Sequence, residues 1–246
     1  YSLGVGKNEG TSTIEHLEYF VRKNLNKTAI RVMAVLNPIK LIIDNYDNDS
    51  YELLEATNNP EDINSDKRKI FFGKELYIEK EDFMENPPKE FFRLTIGREV
   101  RLMHAYYIKC THVTKNPNDE ITEIHCTYDP STKGGWSKDG RKVKGTIHWV
   151  CVDNAINSKI KIYHKLFKNI NPYDCRAGKT FINNINSKSL ITISNAKLES
   201  CLLAASKNKN YQFVRKGYFI MDTESSNNNI IFNQTVDLKD NWNKKK

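Results

Sequence analysis

The stretch "GREVRLMHAYYIKCTHV", residues 97–113, sets Val100, Leu102, Tyr106 and Ile108 on one side against Arg101, Met103 and Lys109 on the other. Alternation with period two predicts a half-buried strand. A turn follows at "KNPND" (115–119), then a second strand "EITEIHCTYD" (120–129), a second turn "PSTKGGWSKDG" (130–140) and a third strand "GRKVKGTIHWV" (140–150). Short strands separated by turn residues predict an antiparallel meander rather than βαβ units. In the third strand Val143, Ile147, Trp149 and Cys151 share one face, and Lys142, Lys144, Thr146 and His148 share the other. That strand is expected to carry a basic outer surface.

The same rhythm extends in both directions. Upstream, "LNPIKLIIDNY" (36–46) and "RKIFFGKELYIE" (68–79) read as strands, and Pro87 and Pro88 mark a crossing between subdomains. Downstream, "YQFVRKGYFI" (211–220) and "NIIFNQTVDL" (229–238) read as strands, with Gly217 marking a bulge or a close backbone approach. A possible short helix lies at "KLESCLLAAS" (197–206), and "NWNKKK" (241–246) reads as a frayed tail. Near the start, Ile14, Leu17, Val21 and Leu25 recur at helical spacing behind Ser12 or Thr13 as N-cap. The fold class expected is therefore mostly β, barrels or a sandwich, preceded by one helical element.

Charge is segregated along the chain. The total is +8 over 246 residues. Asp44 to Glu90 holds 14 acidic and 6 basic residues, whereas Lys133 to Lys168 holds 9 basic residues and only Asp139 and Asp153 as acids. Such a division suggests one face that meets phosphate and another that does not. Five cysteines with no CxxC pair give no disulfide framework and fit a reducing, cytoplasmic setting. No apolar run approaches the roughly 20 residues of a membrane span, so no membrane partner is expected. Tyr1 in place of an initiator Met suggests a piece of a longer chain.

Catalytic and metal signatures are weak. Cys110, His112, His125, Cys126, His148 and Cys151 lie on the meander, but alternation sends adjacent residues, and residues three apart, to opposite faces, against convergent zinc ligands. "RAGKT" (176–180) lacks the leading glycine of a phosphate loop. What stands out is cations interleaved with aromatics: Arg93, Arg101, Tyr106, Tyr107, Lys142, Lys144, Gln212, Arg215 and Tyr218. Aromatic faces stack unpaired bases, and Arg and Gln read base edges. The same pattern also fits aromatics in the core with solvated cations beside them. Composition therefore reaches an RNA-binding β protein and stops there.

Read in order, "AIRVMAVLNPIKLIIDNY" (29–46), "IFFGKELYIEKEDFMENPPKEFFRLTIGREVRL" (70–102), "HCTYDPSTKGG" (125–135), "DGRKVKGTIHWV" (139–150), "KIYHKLF" (161–167), "YQFVRKGYF" (211–219) and "FNQTVDLKDNW" (232–242) resemble the C-terminal anticodon-binding region of glutaminyl-tRNA synthetases. The resemblance runs from about Thr13 to Trp242. It implies two β-barrels, one interrupting the other, behind a helical stem: a stem at 1–27, a proximal barrel at 28–90 plus about 205–246, and a distal barrel at 91–204. It implies that ATP and magnesium belong to an absent catalytic domain, that this fragment holds no cofactor and does not aminoacylate, and that its partner is tRNA(Gln). Other synthetases or scaffold proteins are further possible partners, and a monomer is expected.

The resemblance also implies roles. Arg31, Gln212 and Arg215 would enclose the middle uracil of the anticodon, Arg93 would read the third-position guanine, and Arg101 would serve the first base or its phosphate. Asn26 and Asn58 would support the loop. Lys142 and Lys144 would lie along the tRNA backbone. Three positions depart from family patterns: Met103 where a second arginine is common, Asn241 where bacterial members carry a hydroxyl, and Val214 where they carry an acid. Met103 and Asn241 fall around the first-base pocket, which must accept C or U. A glutamyl-specific domain, a general RNA-binding barrel and a protein-docking surface on the acidic stretch are the rival readings.

Overall fold

The computed structural model describes residues 12–239 except 49, 176 and 177. Asn241, the tail at 241–246 and the start of "RAGKT" lie outside the described residues. Helix α1 (Ile14–Thr28) forms where expected, with the Thr13 hydroxyl accepting from the His16 N–H and Glu15 in its first turn. Its apolar stripe is only half used: Leu25 is buried with Ala29 against Tyr218 and Val236, while Ile14 and Leu17 are exposed. No helix among the described residues is long and apolar enough to cross a membrane.

Sixteen strands follow among the described residues. They are β1 (Ile30–Val32), β2 (Ala34–Val35), β3 (Pro38–Ile43), β4 (Glu52–Thr57), β5 (Lys67–Phe72), β6 (Glu75–Glu79), β7 (Glu99–Leu102) and β8 (Tyr107–Lys115), then β9 (Ile121–Asp129), β10 (Thr146–Ile147), β11 (Trp149–Cys151), β12 (Ile156–Tyr163), β13 (Leu190–Leu198), β14 (Asn210–Phe213), β15 (Gly217–Met221) and β16 (Ile230–Val236). One seven-stranded sheet runs β1-β14-β15-β16-β12-β13-β2, the other β10-β7-β8-β9-β3-β6-β11, and β4 pairs with β5. The edge strands of the first sheet, β1 and β2, are consecutive in the chain with Met33 alone between them. Those of the second, β10 and β11, are separated by His148 alone. Each sheet therefore curls back to a one-residue seam, giving two nearly closed barrels with separate cores.

This pairing moves the expected boundaries. The second barrel takes strands from Pro38 to Cys151, and the first takes Ile30 to Val35 with Ile156 to Val236. The division at about 90 and 205 is thus replaced by one near 36 and 154. Pro87 and Pro88 fall in a loop between two strands of one sheet rather than at a crossing. The physical reason is that β12 and β13 pair with each other and with β16 and β2, so residues 156–198 belong with the C-terminal hairpin.

The stretch 97–113 is a hairpin, not one strand. It breaks at His104, which adopts φ 62, and Val100 then pairs back onto Ile108. Period two survives the turn, which is why alternation alone hid it. In the expected third strand, residues 141–145 are irregular and only β10 and β11 form. β10 pairs in parallel with β7, and β9 lies beside β3, so the three segments are not a simple meander. His148 is fully buried rather than on a basic face. The segment "KLESCLLAAS" closes β13 and then makes one 3-10 turn, Ser200–Ala204. "YQFVRKGYFI" is also a hairpin, β14 to β15, with a bulge just after Gly217.

Gly145 is a point of close backbone approach in the second barrel. A Cβ there would stand 2.2 Å from the carbonyl oxygen of Phe92, and the Gly145 oxygen accepts from the Arg101 N–H at 2.9 Å. Backbone cannot move aside as a side chain does. Gly145→Ala is expected to cost about 1–3 kcal/mol, the usual range for overpacking, read as a lower guanidinium midpoint at unchanged slope. An unchanged midpoint would contradict this close approach.

Candidate nucleic-acid interface

Two clusters gather most of the expected residues. In the first, strand register sets Arg31 beside Gln212 and Gln212 beside Tyr218 across β1, β14 and β15. Residues directly opposite in a ladder share a face. The Arg31 guanidinium donates to Asn26 Oδ1 at 3.1 Å and to Glu61 Oε1 at 3.4 Å. The Tyr218 hydroxyl donates to the same Asn26 oxygen at 3.3 Å. Burial pushes the Tyr218 phenol up, against the pull of the Arg31 and Arg22 charges. Two atoms here are buried without a protein partner: Arg31 Nε, a donor, and Gln212 Oε1, an acceptor.

Asn26 is held in turn by its own backbone. Asn59 Nδ2 donates to the carbonyls of Asn26 at 3.2 Å and Lys27 at 2.9 Å, satisfying the exposed end of α1. Asn58, expected with Asn26 to support the loop, accepts from the Arg31 N–H through its backbone oxygen at 2.7 Å and from Arg68 through its side chain at 3.4 Å.

Arg215 does not join Arg31 and Gln212 in a hydrogen-bonded cluster; it meets Arg93. Both guanidiniums converge on Asp82, whose side chain is fully buried. Arg215 makes a two-pronged pair at 2.7 and 2.6 Å, and Arg93 lies 3.0 Å from the same carboxylate. Burial works against the Arg215 charge, and Asp82 more than restores it, leaving its pKa raised. Arg215 takes φ 66 in the turn between β14 and β15, a conformation costing a non-glycine residue roughly 1 kcal/mol, which the ion pair offsets.

The network continues through the seam. Arg215 Nη1 lies 3.4 Å from His148 Nδ1, and His148 Nε2 stands 3.4 Å from Glu79 Oε1. That last contact has ion-pair spacing but lies off the line of a good hydrogen bond. Glu79 accepts the backbone N–H groups of Leu36 and Asn37 at 2.8 and 3.0 Å and pairs with Lys216 at 3.0 Å. Burial alone would raise this carboxyl; His148, Lys216 and the Leu36 N–H hold it at about 2. The other seam is closed similarly. The Met33 N–H donates to Glu199 Oε1 at 2.7 Å, and Glu199 makes a two-pronged pair with Arg68 at 2.7 Å on each arm. Each break in a barrel leaves a backbone group or side chain that a buried carboxylate completes, and each carboxylate network reaches across to the other barrel.

Arg101, Lys142 and Lys144 behave differently. Among the described residues none of the three makes an ion pair. Arg101 lies over the Trp136 ring, 5.5 Å from its centroid, and Lys144 over Phe92 at 5.0 Å. Lys142 and Lys144 are exposed in a loop, not on a strand, and border a groove of about 330 Å³ with Lys89, Phe92, Arg98 and Glu99. Met103 packs against the second core, and its carbonyl accepts from the Trp149 indole at 2.9 Å. Among the described residues no group of three or more His, Cys, Asp and Glu is placed to hold a metal. Cys110 faces Cys126 and His112 stacks on His125 at 4.3 Å across β8 and β9.

Asp82, Glu79, Asn59 and Trp136 were not singled out by the sequence, and His148 was placed on the wrong face. Asp82 and Glu79 sit in the acidic run and look like solvated charge. Only Trp136, a large aromatic inside a glycine turn, carried a visible signal.

Cations and exposed aromatics on paired β-barrels define a nucleic-acid-binding protein by class. Residues 29–129 and 146–222 match two family models, each described as the anticodon-binding domain of class I (E and Q) tRNA synthetases, and the chain belongs to this family. It is 45% identical over 240 residues to the glutamine–tRNA ligase of Bradyrhizobium diazoefficiens and 47% identical over 244 residues to that of Clostridium perfringens. The enzyme of Vibrio parahaemolyticus is 43% identical over 241 residues. These matches cover 98% of the chain and 42–43% of each relative, so the chain spans about two-fifths of their length.

Proposed function

We propose that the chain is the anticodon-binding part of a glutaminyl-tRNA synthetase and that tRNA(Gln) is its partner. The observation that carries this reading is the unpartnered pair Arg31 Nε and Gln212 Oε1, neighbours in register. Buried donors and acceptors left unmade are costly, and a base edge offering one acceptor and one donor relieves both. Uracil offers O4 and N3–H. Arg93, 45% exposed and steered by Asp82, has the planar donors that suit O6 and N7 of guanine. Arg101 would serve the first base, and Lys142 and Lys144 the sugar-phosphate backbone, which carries no sequence information. That most of the chain aligns with enzymes named glutamine–tRNA ligase supports the glutamine assignment. ATP and magnesium would act in the catalytic part of such an enzyme, in the cytoplasm.

The test is fluorescence anisotropy of the chain with stem-loops carrying CUG and CUC anticodons at about 50 and 150 mM salt. CUG is expected to bind at least about fivefold tighter at both concentrations, since one good bidentate contact discriminates by roughly 1–3 kcal/mol. Lys142→Glu with Lys144→Glu should weaken both loops alike and reduce the salt slope by about 1.4, for two single-strand contacts. Equal binding of CUG and CUC would sink the glutamine-specific reading. Unchanged affinity in the lysine variant would remove that loop from the interface.

A further inference from the structure

We propose that Trp136 is a stacking platform for the unpaired base served by Arg101, an inference that rests on the anticodon-binding reading above. Trp136 is 75% exposed, whereas Trp149 is 1% exposed in the core. A single exposed aromatic is ordinary on a protein surface; what sets Trp136 apart is the Arg101 guanidinium 5.5 Å from its ring centroid. Its loop is firmly built.

Gly134 and Gly135 take φ 83 and 84, conformations open to glycine and strained for other residues. The Gly135 N–H donates to the Thr132 carbonyl at 2.8 Å. Thr132 is buried, its hydroxyl accepting from the Tyr107 N–H at 2.8 Å and donating to the Asp129 carbonyl at 2.6 Å. The loop is thereby fastened to the end of β9 and the start of β8. A Cβ on Gly135 would come within 2.6 Å of Arg101 Cδ, so the arginine stem lies directly against the glycine, and its guanidinium comes to rest over the indole.

Arg101 differs from the other site arginines. Arg31, Arg93 and Arg215 each face a carboxylate, at 3.4, 3.0 and 2.6 Å. Arg101 faces none among the described residues, and its Nε is buried without a partner. Among the described residues no carboxylate pairs with its charge, which is left to meet a phosphate or a base carbonyl. With the guanidinium over one face, the indole has its other face to offer a base, and stacking accepts any base because every base has a π-face. That tolerance suits a position that must accept both C and U. It also suits a pocket where Met103, packed into the core, brings no second cation.

The experiment follows tryptophan emission and anisotropy together, using the full chain with stem-loops carrying CUG, UUG and an abasic first position. Wild type should show emission quenched by CUG and UUG. Trp136→Phe should keep affinity within about threefold and lose the quench. Trp136→Ala, at an exposed side chain, should weaken CUG and UUG alike by roughly 5- to 100-fold while keeping the CUG over CUC preference. On the abasic loop the same substitution should have no further effect, because the stacked partner is already gone. Wild-type affinity for Trp136→Ala, or a quench that persists in Trp136→Phe, would overturn the platform while leaving the anticodon reading intact. Failure of wild type to bind any of the loops overturns both.

Discussion

Glu199→Gln is expected to lower stability by about 4 kcal/mol, near the middle of the range for breaking a buried ion pair. Arg68 and Glu199 keep only 10% and 6% side-chain exposure, so the guanidinium left behind has little water to replace its partner. The carboxylate also satisfies the Met33 N–H, which falls at the seam of the first barrel and has no ladder neighbour there. An amide keeps one oxygen for that N–H and loses the charge that Arg68 needs. The measurement is guanidinium unfolding of wild type and variant, read as a midpoint shift at constant slope. Arg68→Met combined with Glu199→Gln should cost less than Glu199→Gln alone, since the amide oxygen still accepts the Met33 N–H and no guanidinium is left buried without its partner. A single variant within about 1 kcal/mol of wild type would show that Arg68 finds water, and the clasp would not be a buried one.

Much of the fold was legible because period two is a strong signal on half-buried strands. Helix α1 was legible for a similar reason, since Ile14, Leu17, Val21 and Leu25 share one face behind Thr13. The errors fall where alternation continues through a turn. His104 reverses the chain without glycine or proline, and Arg215 turns it between β14 and β15 just ahead of Gly217, so two hairpins read as single strands. Barrel boundaries were hidden for another reason: β12 and β13 belong to the first barrel through pairings with β16 and β2, which lie far away in sequence. At the site, residue types pointed to Arg93, Arg101, Gln212 and Arg215, and the resemblance added Arg31 and assigned the roles. Grouping was the unreadable part. Asp82, one acid among 14 in its stretch, decides that Arg215 stands with Arg93 rather than with Arg31.

Asp82→Asn tests that grouping and should lower stability by about 3 kcal/mol, the low end of the buried-pair range. The reason for the lower figure is exposure: Arg215 and Arg93 keep 26% and 45% of their side-chain surface, so water recovers part of the lost interaction. The larger consequence is functional. Among the described residues Asp82 is the one carboxylate shared by the two arginines, one from each barrel, and the Leu94 N–H donates to its backbone oxygen at 3.0 Å beside Arg93. Without its charge the two guanidiniums repel, and Arg93 loses the orientation that suits guanine. The CUG over CUC preference should therefore fall to nearly one, while the salt dependence set by Lys142 and Lys144 stays as it was. Glu199→Gln provides the contrast, because its clasp lies at the other seam and Arg68 is not among the residues proposed to touch RNA. Measured well below its unfolding transition, it should bind CUG and CUC with wild-type preference despite the larger loss of stability. If both variants lose the preference together, general loosening of the barrels explains the effect and Asp82 has no special claim on Arg93. If only Asp82→Asn loses it, selectivity depends on a buried charge that never touches the RNA.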